Sequence, residues 1–269
     1  MSVKTHLISG AGNTFHLVYD VSQNIFFLKA LAKKIGQKTP ADGFIFLEKI
    51  AAIQSVETYK WYFFNSDGSE AEMCGNAARC VGYYIKNILK SQNNHWRLIT
   101  AAGPITISFI STENYKITMT PAKILNSSFG FFCDTGVPHL VIERNDLTIN
   151  ENLLRAARRA RQHVEFFPRG TNVTYVILDS NEAKLKAVTY ERGVENFTLA
   201  CGTGAVAAAL YRLANNLANN LANNPTSKLA MRGEMQTQVE MPGGTLMIDL
   251  SDLSKPTLAG PAVLLGSYE

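Results

Sequence analysis

The chain of 269 residues predicts an α/β (α+β) fold of two similar halves. Short alternating strands and amphipathic helices follow one another in the same order twice. Each half holds a cysteine–glycine pair that opens an apolar, small-residue helix, Met73-Cys74-Gly75-Asn76-Ala77-Ala78 and Ala200-Cys201-Gly202-Thr203-Gly204-Ala205. The punctuation repeats as well. Asn65 stands nine residues before Cys74 and Arg192 nine before Cys201, and Gly12-Asn13 and Thr171-Asn172 each open an alternating strand. An old duplication accounts for all three, with a cleft between two domains taken as 1–124 and 125–269.

In the first half the pattern predicts a strand at Thr14–Tyr19, a helix around Phe26–Ile35 and strands at Gly43–Glu48 and Tyr59–Phe64. A helix then runs from about Asn76 to Lys90, burying Val81, Tyr84, Ile85 and Leu89. Strands at Arg97–Thr100, Ile105–Ile110 and Tyr115–Met119 complete this half. The second half repeats the order: strand Leu140–Glu143, helix Glu151–Arg161, strands Asn172–Leu178 and Lys184–Glu191, and a helix from about Gly202 to Leu213. Strands at Thr237–Met241, Gly244–Leu250 and Ala262–Ser267 end the chain. The tandem Leu-Ala-Asn-Asn repeat over 213–224 reads as a frayed helix extension or an exposed loop, since asparagine is a poor helix former.

Composition excludes several classes. Hydrophobic content is 46% and the formal net charge is +4, as in an ordinary soluble globular protein. Arg155, Arg158 and Arg159 share a helical face without interleaved aromatics, so a solvated surface is expected there and no nucleic-acid partner. The N-terminal segment lacks the apolar core of a signal peptide, and no run reaches the length of a membrane span, so a cytoplasmic protein is expected. Cys74, Cys80, Cys133 and Cys201 form no C-x₂-C pair, so free thiols in a reducing compartment are expected, with no metal site. Cys80 and Cys133 read as small buried hydrophobes.

A thiol at a helix N-terminus has its thiolate favoured by the helix dipole and the unpaired backbone N–H groups. Two such thiols, one protonated and one not, suit the exchange of a proton between opposite faces of one carbon. The α-carbon of an amino acid is a very weak acid, so negative charge developing toward its carboxylate needs stabilising donors. The backbone N–H groups of Gly75, Asn76, Gly202 and Thr203 would supply them. These features point to an amino-acid racemase or epimerase that uses no cofactor.

The longer segments carry a resemblance. Phe64-Asn65-Ser66-Asp67-Gly68-Ser69-Glu70-Ala71-Glu72-Met73-Cys74-Gly75-Asn76 resembles the first-cysteine motif of diaminopimelate epimerases. Thr189-Tyr190-Glu191-Arg192-Gly193-Val194, with Leu199-Ala200-Cys201-Gly202-Thr203-Gly204, resembles the second. Gly12-Asn13, Asp134-Thr135-Gly136-Val137-Pro138-His139 and Phe167-Pro168-Arg169-Gly170-Thr171-Asn172-Val173 match further segments in order. The resemblance implies two pseudo-symmetric domains, each a mixed sheet wrapped round a central helix, with the active site between them. It implies conversion of LL-2,6-diaminopimelate to the meso form, for lysine and peptidoglycan precursor synthesis, without pyridoxal phosphate. Cys74 and Cys201 are then the acid–base pair. Asn13, Asn65, Asn172, Glu191 and Arg192 bind the distal amino-acid end, His139 lies behind the site tuning a thiol or as a core histidine, and the enzyme is a homodimer.

Departures from the family pattern fall at Val137, Gly43 and Phe197, where members often carry asparagine, glutamine and an acidic residue; Thr14 and Ala77 depart too. They thin out polar contacts to the distal group. The rival reading keeps the chemistry on glutamate, proline or hydroxyproline, although proline-racemase relatives usually show histidine where this chain has Asn76. A third reading is a non-catalytic ligand-binding or thiol-redox module, which the absence of C-x₂-C disfavours.

Overall fold

The computed structural model describes residues 3–19, 24–71, 73–179, 184–223 and 235–269, with side chains up to Leu217 in the long last helix. The chain divides into two compact units, Met1–Thr118 with Ala259–Glu269, and Met119–Leu258.

In the first unit, β1 (Thr5–Gly10) turns through Ala11-Gly12 into β2 (Asn13–Tyr19). Both turn residues have positive φ, 54° and 89°, as a two-residue hairpin of matching twist requires. Then follow α1 (Ile25–Lys38), β3 (Gly43–Ile53), β4 (Val56–Asn65), α2 (Gly75–Tyr83), β5 (His95–Thr100), β6 (Gly103–Ser111) and β7 (Asn114–Thr118). The pairing is mixed: β1–β2 antiparallel, β2–β3 parallel, β3–β4 antiparallel, β4–β5 parallel and β5–β6–β7 antiparallel. Helix α2 packs against β1, β2, β6 and β7, and every residue from Gly75 to Gly82 is buried. The single helix read over 76–90 changes pitch midway. A π-helical turn at Tyr84–Ile88, closed by Leu89 N–H to the Tyr84 carbonyl at 3.0 Å, keeps Tyr84 and Ile85 buried.

The second unit contains β8 (Lys123–Leu125), β9 (Phe131–Asp134), β10 (Pro138–Glu143), α3 (Glu151–Arg161), β11 (Asn172–Leu178), β12 (Lys184–Glu191), β13 (Asn196–Thr198), α4 (Gly202–Asn223), β14 (Gln236–Met241) and β15 (Gly244–Asp249). Its pairing repeats the first: β9–β10 antiparallel, β10–β11 parallel, β11–β12 antiparallel, β12–β14 parallel and β14–β15 antiparallel. Helix α4 takes the place of α2, packed on β9, β10, β11, β12, β14 and β15. Two crossover helices, α1 and α3, occupy equivalent places in the two repeats. Helix α1 lays Leu28 and Ala32 on Phe44, Phe46 and Phe64. Helix α3 lays Leu153, Ala157 and Ala160 on Leu140, Tyr175 and Tyr190. Arg155, Arg158 and Arg159 of α3 are exposed, as a solvated face requires.

The chain ends with β16 (Thr257–Pro261) and β17 (Val263–Tyr268). A single cut after residue 124 would leave the C-terminus in the second half. Strand β17 instead pairs antiparallel with β1, Thr5 opposite Tyr268, which returns the last residues to the first unit. Helix α4 runs beyond Leu213 as far as Asn223, so the first Leu-Ala-Asn-Asn units are helical, while Asn224 lies outside the described residues. Leu213 is 5% exposed and anchors that extension.

Candidate active site

The first unit assembles its candidate residues where β1, β2 and α2 meet. Cys74 is half-buried and takes the N-cap position of α2, with extended backbone at φ −146° and ψ 124° and no capping bond from its sulfur. Strand β1 approaches so closely that a Cβ on Gly10 would stand 2.6 Å from the Asn76 carbonyl oxygen. Only glycine fits there. Arg79, one turn into α2, is fully buried. Its Nη2 donates to Asn76 Oδ1 at 2.9 Å, its Nη1 to the Gly75 carbonyl at 3.3 Å and its Nε to the Pro261 carbonyl at 3.4 Å. A guanidinium only donates, so Asn76 must turn its oxygen inward. Its Nδ2 then donates to Asn13 Oδ1 at 2.7 Å, leaving Asn13 to present its own amide donors. Asn65, at the end of β4, opens a turn, its Nδ2 donating to Ser69 Oγ at 3.0 Å.

Gly43 explains its own identity. A Cβ there would meet the Phe63 ring at 2.6 Å and the Phe64 carbonyl oxygen at 3.1 Å, so no glutamine side chain fits. Phe197 likewise faces the core, 5.6 Å from the Tyr190 ring. Val137 sits partly buried in the bend between β9 and β10.

The second unit builds a tighter cluster. Cys201 is 5% exposed and precedes α4, and its Sγ accepts the Gly204 N–H at 3.4 Å in the manner of a capping hydroxyl. Thr203 Oγ1 lies 3.4 Å from the same sulfur. Glu191, ending β12, accepts from Thr198 Oγ1 at 2.5 Å and from the Cys201 thiol. Burial first, and then the Glu191 carboxylate, push the Cys201 thiol well above its ordinary range, against the hydrogen bonds its sulfur makes with Thr203 and the Gly204 N–H. Burial raises Glu191 itself, partly offset by its bonds to Thr198 and Cys201. Cys201 therefore rests as a neutral thiol at pH 7.

His139 stands behind this cluster, wholly buried, its Nε2 3.0 Å from Thr203 Oγ1 and 3.2 Å from Asn172 Nδ2. The hydrogen bonds determine its tautomer. The Arg192 backbone N–H donates to Asn172 Oδ1 at 2.8 Å, which orients that amide. Asn172 Nδ2 then faces Nε2, so Nε2 carries the lone pair and Nδ1–H donates to Thr174 Oγ1 at 2.9 Å. Thr203 thus joins His139 to Cys201, and the Thr135 hydroxyl holds the Thr203 carbonyl at 3.0 Å.

Sequence reading placed Cys201, Thr203, Glu191, Asn172 and Arg192 in the site, and the structure brings them into this one cluster with His139. It did not single out Thr135, Thr174, Thr189, Thr198 or Arg79. Threonines on alternating strands and an arginine inside a helix carry no local signal of a buried partner.

Burial, and then the Arg192 charge, lower the His139 pKa from 6.5 to about 3. The stability that His139 contributes as a neutral ring is therefore present above about pH 6.5 and lost as pH falls toward 3. Its share should decline by about 1.4 kcal/mol per pH unit in that window. Urea unfolding of the wild type and His139→Gln at pH 7 and pH 4.5 checks this, the wild type losing more on acidification.

Among the described residues no cluster of histidine, cysteine, aspartate or glutamate is able to hold a metal ion, and no helix is long and apolar enough to cross a membrane. The family model described as diaminopimelate epimerase matches residues 5–125 and 131–265. A diaminopimelate epimerase of Aquifex aeolicus is 37% identical over 76% of this chain and 78% of its own length. Another, of Chlamydia muridarum, is 32% identical over 100% of this chain and 95% of its own. Among solved structures, a phenazine biosynthesis protein of the PhzF family from Bacillus anthracis shares the fold at TM-score 0.71, with 13% identity over 100% of this chain and 99% of that one. The duplicated sheet–helix architecture, the paired N-cap cysteines and the match along nearly the whole sequence lead to one assignment: the chain belongs to the diaminopimelate epimerase family.

Proposed function

We propose that the protein interconverts LL-2,6-diaminopimelate and meso-2,6-diaminopimelate by a two-base mechanism, with Cys74 and Cys201 on opposite faces of the reacting α-carbon. The observation that carries this reading is the equivalent placement of the two cysteines, each at the N-cap of the buried central helix of its unit. One sulfur as thiolate removes the α-proton while the other, as thiol, delivers a proton to the far face. The backbone N–H groups of Gly75, Asn76, Gly202 and Thr203 receive the charge that grows on the α-carboxylate. Asn13, Asn65, Asn172, Glu191 and Arg192 hold the distal end, where the planar fork of Arg192 suits a carboxylate. The reading includes operation without pyridoxal phosphate, as a cytoplasmic homodimer, in supply of lysine and peptidoglycan precursors. Light scattering at twice the chain mass checks the dimer.

Proton NMR in deuterium oxide tests the reaction, with reduced protein and LL-diaminopimelate, meso-diaminopimelate, proline, hydroxyproline or glutamate. Deuterium should enter the α-position of the diaminopimelates alone. Exchange confined to another amino acid would move the substrate and keep the chemistry. No exchange in any of them would leave the ligand-binding or thiol-redox reading standing.

A further inference from the structure

Arg79 is a buried charged side chain that the reaction above leaves unused. It is 0% exposed, and a fully buried cation ordinarily pairs with a buried carboxylate. Among the described residues its hydrogen-bond partners are the Gly75 carbonyl, the Asn76 amide oxygen and the Pro261 carbonyl, all neutral. Two of those acceptors belong to the residues directly after Cys74, so the guanidinium is clamped beneath the first turn of α2. Burial works against its charge, and the nearby sulfurs of Cys80 and then Cys74 favour it.

Among the described residues on the elements packed against α2, Arg79 carries the charge. From β1 and β2, burial holds His6 and His16 below their ordinary pKa, hence neutral at pH 7. In the π-helical turn and on β7, burial lifts Tyr84 and Tyr115 to about 12, and both stay protonated. Lys86 turns to the Ser91 and Asn93 carbonyls, Lys116 is exposed, and β6 contributes no titratable side chain. Burial keeps Cys80 a thiol, its Sγ turned to the Ile8 carbonyl at 3.8 Å. Arg79 itself, drawn down to about 10 by burial, remains protonated at neutral pH.

The second unit offers the opposite sign. Cys201 has the Glu191 carboxylate against it, whereas Cys74 has the Arg79 cation. We infer that Arg79 is a positioning residue that holds Cys74 as the resting thiolate, so that the free enzyme carries its base on Cys74 and its acid on Cys201. This rests on the two-thiol reaction proposed above. In the first half-reaction the α-carbon C–H bond breaks, its proton goes to the Cys74 thiolate, and the Cys201 S–H proton passes to the opposite face of the carbanion. The enzyme is left with the protonation reversed, and a proton transfer resets it against the Arg79 charge.

The test is alkylation by iodoacetamide across pH 5.5–10, resolved by peptide mass spectrometry, on the full-length wild type, Arg79→Met and Arg79→Lys. In the wild type the Cys74 midpoint should fall below the ordinary value of about 8.5, and below that of Cys201. Arg79→Met keeps the volume and removes the charge. It should raise the Cys74 midpoint by about one unit or more, slowing alkylation at pH 6.5 about tenfold. Arg79→Lys keeps the charge without the fork and should stay near the wild type. A wild-type Cys74 midpoint at or above about 8.5 overturns the inference without recourse to a variant. Equal shifts in Arg79→Met and Arg79→Lys overturn it as well, because they would mark a packing role. The substrate exchange experiment fails independently. A low Cys74 midpoint with no α-proton exchange would sink the reaction alone, and normal exchange with an ordinary midpoint would sink this inference alone.

Discussion

Cys74→Ala and Cys201→Ala should each lower interconversion of LL- and meso-diaminopimelate by about 10²–10⁴-fold, the range a positioned general acid or base contributes. Inversion needs a base on one face and an acid on the other, so neither sulfur substitutes for its partner. Coupled assay of meso-diaminopimelate formation, alongside NMR exchange, checks the loss. Cys80→Ala and Cys133→Ala serve as comparisons. Burial raises both of those thiols, Cys133 to about 12, and they lie in the core away from any helix N-terminus. Loss of activity in the two comparison variants equal to that in the first two would remove the special place given to Cys74 and Cys201.

Gly204→Ala should destabilise the protein by about 1–3 kcal/mol, the ordinary cost of forcing atoms into a packed interior. The added Cβ would stand 2.3 Å from Thr189 Oγ1 and 3.2 Å from Thr174 Oγ1. Those hydroxyls bond each other at 3.1 Å, and Thr174 receives the His139 Nδ1–H. The substitution therefore pushes apart the tie that orients His139 and, through Thr203, the environment of Cys201. Urea unfolding measures the first effect, and alkylation of Cys201 as a function of pH measures the second. Unchanged values in both would show that β12 and α4 yield more than their packing suggests.

Much of the chemistry was legible because it is local. A cysteine followed by glycine and small residues marks a helix start wherever it occurs, and both such sites lie at helix N-termini. The boundaries of α3, β11 and β12 agree residue for residue with the alternation and helical spacing that predicted them. Strand β8 carries no hydrophobic alternation, and β13 is three residues of hairpin between Glu195 at φ 56° and the loop before Cys201. Their pairing is a property of the partner strand. The pairing of β17 with β1 joins the two ends of the chain, which no local pattern encodes.

The site divides along the same line. The sequence by itself determined the duplicated order of strands and helices, the two cysteine-led helices and the family, since these depend on spacing along one chain. Only the tertiary structure decided what surrounds each sulfur. It set Glu191 and the His139–Thr203 pair against Cys201, buried Arg79 beneath Cys74, and filled with the Phe63 ring the space that a side chain at Gly43 would need. The physical reason is that a thiol's protonation depends on burial and on the sign of the nearest charge, and both come from residues far apart in sequence that meet only when the sheets close around their central helices.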